Sequence, residues 1–149
     1  MPEMAKTETA AYALTVADLL RKQAGTRAHA VALQDARGVL SYVELDRAAS
    51  RLAQALLVRG LRAGDRVAVL SENCREYLQL QLAAAKIGVI VACLNWRLAD
   101  AELTHCLRLV SPRMVFVSAR YAPTLARIEH VVAQVILIET QFDAFLAGV

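Results

Sequence analysis

The sequence predicts an α/β fold, a doubly wound, mainly parallel sheet with helices on both faces. Short apolar runs recur at Arg66–Leu70, Val89–Leu94, Met114–Val117 and Val135–Ile138. The second of them is apolar throughout rather than alternating, the pattern of a strand covered on both faces, and such strands are usually parallel. Stretches of about ten to fifteen residues with helical spacing separate the runs. Right-handed crossovers then place helices on both sides of the sheet.

Residues 1–14 read as a loose leader, and 15–149 as one unit. From Thr15, the residues Val16, Leu19 and Leu20 predict a short helix ending near Gly25. Val31–Leu33 and Val39–Leu40 read as two short strands around the turn residues Asp35 to Gly38. Ser41 and Glu44 form a capping box: the hydroxyl accepts from the Glu44 amide and the carboxylate from the Ser41 amide. The helix after it carries Leu45, Ala48, Ala49, Leu52, Ala53, Leu56 and Leu57 on one face, and Gly60 suits a left-handed C-terminal cap. Gly64-Asp65 turns the chain into the strand Arg66–Leu70.

Asn73 is the expected N-cap of a helix running through Lys86, with Tyr77, Leu78, Leu82 and Ala85 on one apolar side and Gly88 as its end. Val89–Leu94 is the doubly covered strand. A helix over about 100–110 is stopped by Ser111-Pro112. Met114–Val117 is the next strand, Ala122–Val132 a helix and Val135–Ile138 a buried strand. Phe142, Phe145 and Leu146 begin a final turn.

Composition removes several classes of function. The chain has 149 residues, a net charge of +3 and 57% hydrophobic residues. That apolar content is above the usual range of about 45–50% and implies extensive buried surface, or surface that further chain covers. The basic residues do not gather into a stripe, and Arg21-Lys22 is the one adjacent pair, so no nucleic-acid partner is expected. Three cysteines without ligand spacing imply free thiols in a reducing compartment, each a small buried hydrophobe. The N-terminus lacks an apolar core with a cleavage site, and the longest apolar run, Ile87–Leu94, falls far short of the ~20 residues of a membrane span. A cytoplasmic protein without a transmembrane segment is the expectation.

His29, His105 and His130 stand apart and form no zinc pattern. No G-x-S-x-G elbow and no G-x-G-x-x-G follows a strand, which argues against a hydrolase and a dinucleotide site. The strands end in Ser71, Asn95 and Ser118 rather than aspartate, which argues against a receiver-like phosphoacceptor.

Five pieces remain, and they occur in one order: Ser41-Tyr42-Val43-Glu44-Leu45, Gly64-Asp65-Arg66-Val67-Ala68, Asn73, Ala83-Ala84-Ala85-Lys86-Ile87-Gly88, and Cys93-Leu94-Asn95-Trp96-Arg97-Leu98. Ala101-Glu102-Leu103 and Ser111-Pro112-Arg113 continue the series. Each alone is common, but the order and spacing are specific. From about Thr15 onward the chain resembles the N-terminal portion of the adenylate-forming (AMP-binding) acyl-CoA synthetases, or acid–CoA ligases. Two positions depart from that pattern. Cys93 stands where the family usually has proline, and Ala99 where a threonine commonly caps the next helix, leaving Asp100 to cap one residue later.

The resemblance implies an incomplete part of the large N-terminal domain, truncated before the phosphate-binding loop. It implies a parent enzyme that uses ATP, Mg²⁺ and CoA to convert a carboxylic acid, a fatty acid by preference, into an acyl-adenylate and then a thioester. In the family, a glycine- and threonine-rich phosphate loop, an aspartate for the ribose and a catalytic lysine carry that chemistry. The six glycines here never cluster, so no catalytic residue and no metal ligand is assigned. None of the cofactors is expected to bind this chain tightly by itself, and the chain alone is expected to be inactive. Its expected partner is the missing ligase portion or a full-length ligase, and the alternative reading is a non-catalytic interaction module.

One residue carries a functional expectation from the resemblance. In some CoA-ligase members the arginine matching Arg97 lies near the phosphates of the CoA nucleotide, and a guanidinium forks onto phosphate oxygens. From the residues alone, Arg97 reads equally as a solvated loop arginine or a partner of Asp100. Trp96 either packs on an adenine or covers the edge of the core, and Asn73 and Asn95 read as cap and turn residues.

Overall fold

The computed structural model describes residues 14–128 and 132–147. The leader expected over 1–14, except for Leu14, lies outside them, as does His130. Helix α1 (Val16–Thr26) opens the described chain, followed by strands β1 (Val31–Asp35) and β2 (Gly38–Ser41) and helix α2 (Tyr42–Val58). Then come β3 (Arg66–Leu70), α3 (Arg75–Ile87), β4 (Ile90–Cys93), α4 (Asp100–Val110) and β5 (Met114–Val117). Helix α5 (Ala122–Arg127), strand β6 (Gln134–Leu137) and helix α6 (Ile138–Leu146) complete it.

Strands β4-β3-β5-β6 form a parallel sheet, while β1 and β2 form a separate antiparallel hairpin. The four fully buried residues Val67 to Leu70 of β3, and the four of β5, show why central strands need apolar side chains on both faces. Val67, Val69, Met114 and Phe116 point to one side, against Leu52 and Leu56 of α2, Leu80 and Ala83 of α3, and Phe142 and Phe145 of α6. Ala68, Leu70, Val115 and Val117 point to the other, against Leu103 and Leu107 of α4 and Leu125 of α5. This is the expected double winding. Outside α2 and α3, a third layer forms where Leu20 of α1 meets Leu45, Ala49 and Leu82, with Ala32 and Leu40 of the hairpin beside them.

Local chemistry fixes the ends of these elements. The Ser41 box forms as expected, with Ser41 N donating to Glu44 Oε2 at 2.8 Å and Glu44 N to Ser41 Oγ at 3.4 Å. Thr15 and Asp18 make a second box at α1. Gly60 adopts φ +84° and ends α2 with Leu61 N donating to Leu56 O and Gly60 N to Leu57 O. Gly64 (φ +87°) turns the chain into β3, and there Asp65 accepts from Arg62 N at 2.7 Å and from Arg113 Nη1 at 2.8 Å. Arg113 also donates to Gly60 O, and Arg66 Nε to Val110 O. The Gly-Asp-Arg motif therefore knots the starts of β3 and β5 together at the N-terminal edge of the sheet. Lys86 Nζ meets Asp46 Oδ1 at 2.6 Å and ties α3 to α2.

Several expectations change. Asn73 does not cap α3: the N-cap is Cys74, which offers no side-chain bond, because the helix begins one residue later than the motif implied. α3 has not one apolar side but two, Leu80 and Ala83 on the sheet and Leu78 and Leu82 on the third layer. Val89–Leu94 is covered only in part: Val91 and Ala92 pack on opposite core clusters, but β4 is an edge strand rather than a central one, and Ile90 is 53% exposed. The last strand, β6, is also an edge, with Val135 exposed, and it ends at Leu137, after which the expected turn is a helix of 9 residues. α5 stops at Arg127 rather than continuing to Val132. Cys93 is exposed and Cys74 and Cys106 only partly covered, so none is a fully buried hydrophobe.

Candidate functional site

In an open α/β sheet, ligands bind outside the carboxyl ends of the strands, where consecutive connections leave in opposite directions. Here β3 passes to β4 through α3 on one face, and β5 passes to β6 through α5 on the other. The neighbouring ends of β3 and β5 are therefore the switch point. Three loops meet at this rim: 71–74 after β3, 94–99 after β4 and 118–121 after β5.

A cleft of about 440 Å³ opens there. Ser71 and Ser118, the buried residues just beyond the two central strands, form its floor. Ser71 Oγ donates to Glu72 O at 2.8 Å. Arg37 of the hairpin turn reaches Glu76 with two bonds, of 2.7 and 3.0 Å, and closes one side of the cleft. The neighbouring Arg75 grips Asp35 with bonds of 2.6 and 3.0 Å, so the hairpin is stapled to the start of α3. Burial raises the Glu76 carboxyl, but the bonds and charge of Arg37, together with a backbone bond and Cys74, outweigh it and leave the group below the usual range. Across the cleft, Glu139 of α6 accepts from the Ala119 amide at 2.8 Å. Cys74 also lines it, but burial pushes its thiol up, which is the wrong direction for a nucleophile.

Beside the cleft stands an aromatic and cationic platform. Trp96 stacks on Tyr121 with ring centroids 5.7 Å apart and planes 26° from parallel. The Arg97 guanidinium lies over the indole, 4.1 Å from its centroid. Arg120 lies 6.0 Å from the same indole and 5.6 Å from the Tyr121 ring, and bonds Glu72 at 2.8 Å. The Tyr121 hydroxyl is buried without a hydrogen-bond partner. Burial and then the nearby Glu72 carboxylate push that phenol up, against the pull of Arg120 and Arg97.

The structure places the sequence-derived candidates as follows. Arg97 sits at the rim in the β4–α4 loop, and its amide donates to Asn95 Oδ1 at 3.1 Å, so Asn95 is the turn residue expected. Asp100 is not its partner: that carboxylate pairs with Arg127, at 3.2 and 3.3 Å. Nor does Asp100 cap α4. The N-cap is Ala99, whose amide donates to Glu102 Oε2 at 2.8 Å, only the reciprocal half of a capping box. Trp96 is partly exposed, packs on the core cluster of α4 and α5 and stacks on Tyr121, so it covers the edge of the core as one of the two readings expected. His29 and His105 are exposed, and neither lines the cleft. Sequence reasoning missed Arg37, Glu72, Glu76, Arg120 and Tyr121. Nothing in their sequence neighbourhoods marks them, because their partners come from distant loops. Ser71 and Ser118 read from the sequence only as strand ends, though a serine directly after the apolar runs Val67–Leu70 and Met114–Val117 is itself a signal of a sheet rim.

Among the described residues no three histidines, cysteines or carboxylates converge as a metal site, and no helix is long and apolar enough to cross a membrane. A sequence profile of the family described as "AMP-binding enzyme" matches residues 20–147. The chain is 38% identical over 80 residues to the acyl-CoA ligase SID4 of Ajellomyces capsulatus, a match covering 54% of this chain and 14% of that protein. It is 37% identical over 98 residues to a feruloyl-CoA synthase of Amycolatopsis sp, covering 66% of this chain and 20% of that protein. The fold superposes on the crystal structure of the N-terminal domain of FACL13 from Mycobacterium tuberculosis with a TM-score of 0.82 and 25% identity, over 90% of this chain and 36% of that one.

Proposed function

The chain belongs to the AMP-binding enzyme family, and from that premise we propose that it is the N-terminal part of an ATP-dependent carboxylic acid–CoA ligase. The complete enzyme forms an acyl-adenylate and then the acyl-CoA thioester, with a fatty acid as the favoured substrate, in the cytoplasm. The observation that carries this reading is the profile match over nearly the whole described chain, together with relatives named as an acyl-CoA ligase and a feruloyl-CoA synthase. The relatives are several times longer than the stretch they share with this chain.

The residues present divide the labour of such an enzyme. The knot at Asp65, Arg66 and Arg113 and the Lys86–Asp46 pair hold the sheet and helices. The rim supplies Arg97, which we assign to a phosphate of CoA. Its forked donors suit that group, and among the described residues no carboxylate pairs with it. The described residues offer no acidic trio for Mg²⁺ and no glycine-rich cradle for ATP phosphates, so we assign those groups to further chain. Accordingly the chain alone is inactive.

ATP–pyrophosphate exchange with a panel of fatty and aromatic acids tests this. No exchange is expected from these residues alone, and exchange by them overturns the division of labour. Exchange is expected from the parent polypeptide, which an antibody against the chain detects at several times 16.2 kDa. A band at 16.2 kDa instead favours a second reading, a non-catalytic module that pairs with a ligase partner. The open edges of β4 and β6, with Ile90 and Val135 exposed, are what support that reading.

A further inference from the structure

We propose that Arg120 is the second cation of the phosphate contact at Arg97, and that Glu72 holds it in reserve until a phosphate displaces the carboxylate. This rests on the reading of Arg97 as a phosphate contact and adds a residue and a switching device to it.

Both guanidiniums lie against one indole. Arg97 is 4.1 Å and Arg120 6.0 Å from the Trp96 ring, which places both cations beside one ring pair, where a phosphate or diphosphate group meets two positive charges. Their states differ. No side-chain acceptor holds Arg97 among the described residues, and its donors are uncommitted. Arg120 is committed to Glu72 at 2.8 Å, but that pair is open to water, with side chains 67% and 48% exposed. Pairs of that kind contribute little and exchange partners readily. A phosphate carries more negative charge than a carboxylate and accepts from two arginines at once, so it outcompetes Glu72 when Arg97 shares the load.

The displaced carboxylate has somewhere to go. The Tyr121 hydroxyl is buried and unpartnered under the platform, and Glu72, Arg97 and Arg120 are the charges that act on it. Buried hydroxyls without a partner are uncommon and costly. When Glu72 leaves Arg120, the phenol donates to it. The Tyr121 hydroxyl already lies close enough to Glu72 for the carboxylate to push the phenol up, so it is the ready partner of the released carboxylate, which couples the two events.

Trp96 is the one tryptophan of the chain, so its emission reports on the platform directly. The test titrates the protein with coenzyme A and, separately, with pyrophosphate, at constant ionic strength. Binding is expected to be weak, at about millimolar concentrations. Arg97→Ala and Arg120→Ala should each weaken it about fivefold or more, while Glu72→Gln should tighten it about two- to fivefold. The gain from Glu72→Gln should vanish in the Arg120→Ala background. Tyr121→Phe should weaken binding while raising the melting temperature, an opposition that a merely structural residue does not produce.

If Arg97→Ala abolishes binding while Arg120→Ala and Glu72→Gln change nothing, the Arg97 contact stands and the present proposal falls. If pyrophosphate binds with the expected Arg120 and Glu72 dependence but coenzyme A does not, the switch stands and the coenzyme assignment falls. Failure of both probes to perturb Trp96 overturns the proposal. Arg120 and Glu72 are exposed, so their variants retain the fold, and a far-ultraviolet spectrum verifies it.

Discussion

Gly88 and Gly64 separate two costs that a side chain can incur. Both have positive φ, +72° and +87°. A Cβ at Gly64 would meet no atom within 4 Å, whereas one at Gly88 would meet Ala63 Cβ at 3.0 Å. Gly64→Ala should therefore cost the backbone term alone, about 1–2 kcal/mol. Gly88→Ala should cost more, by about 1 kcal/mol or beyond, because Ala63 must shift. Urea unfolding of the two variants measures the difference, and equal losses would show that Ala63 gives way freely. At this scale the sequence was legible where function is local. Gly60, Gly64 and the Ser41–Glu44 box act on residues beside them. Arg120 was invisible because its meaning comes from Trp96 and Glu72, each on a different loop.

The helices differ in how well their first turns are closed. α2 has both halves of its box, so Ser41→Ala should lose about 1 kcal/mol. α4 has only the Glu102 half, since Ala99 has no acceptor to offer the amides of its first turn. Ala99 already has the extended backbone of an N-cap (φ −68°, ψ 159°). Ala99→Ser should thus add about 0.5–1 kcal/mol, read as a higher urea midpoint. An unchanged or lower midpoint would mean that the new hydroxyl finds another partner in the rim loop. Elements were legible from period and punctuation, and every expected strand and helix of the described chain exists. What the pattern could not supply was strand order. The run Val89–Leu94 has the composition of a central strand, yet β4 lies at the edge. Composition responds to how much apolar surface approaches a strand's faces and says little about whether both its edges are hydrogen-bonded.

Across the molecule several carboxylates are held ionised by bonds to arginines, amides and hydroxyls. Asp35 is held below the usual range chiefly by its bond to Arg75, Asp65 by the Arg62 amide, Asp18 by the Thr15 amide and Glu44 by the Ser41 hydroxyl. Each depressed group contributes stability above its unfolded value, at about pH 4, and loses it as pH falls through the folded value. The melting temperature should be level from about pH 7 to 5 and fall below about 4. Asp65→Asn should lower it at neutral pH and flatten the acid limb. A melting temperature that holds to pH 3 would show these bonds to be dispensable. The fold class was legible at this scale because both faces of β3 and β5 demand apolar side chains. The rim was only half legible, since loops contribute chemistry one or two residues at a time.

The strand order β4-β3-β5-β6 also bears on how the chain is made. Each strand after β3 pairs with one already synthesised: β4 with β3, β5 with the opposite edge of β3, and β6 with β5. A polypeptide leaving the ribosome at about 5–20 residues per second can therefore extend this sheet outward as it emerges, without a strand waiting for a partner still to be translated. Parallel sheets are otherwise slow to assemble, because their pairings are distant along the chain. Growth from β3 shortens the time for which an unpaired apolar strand is presented to other nascent chains.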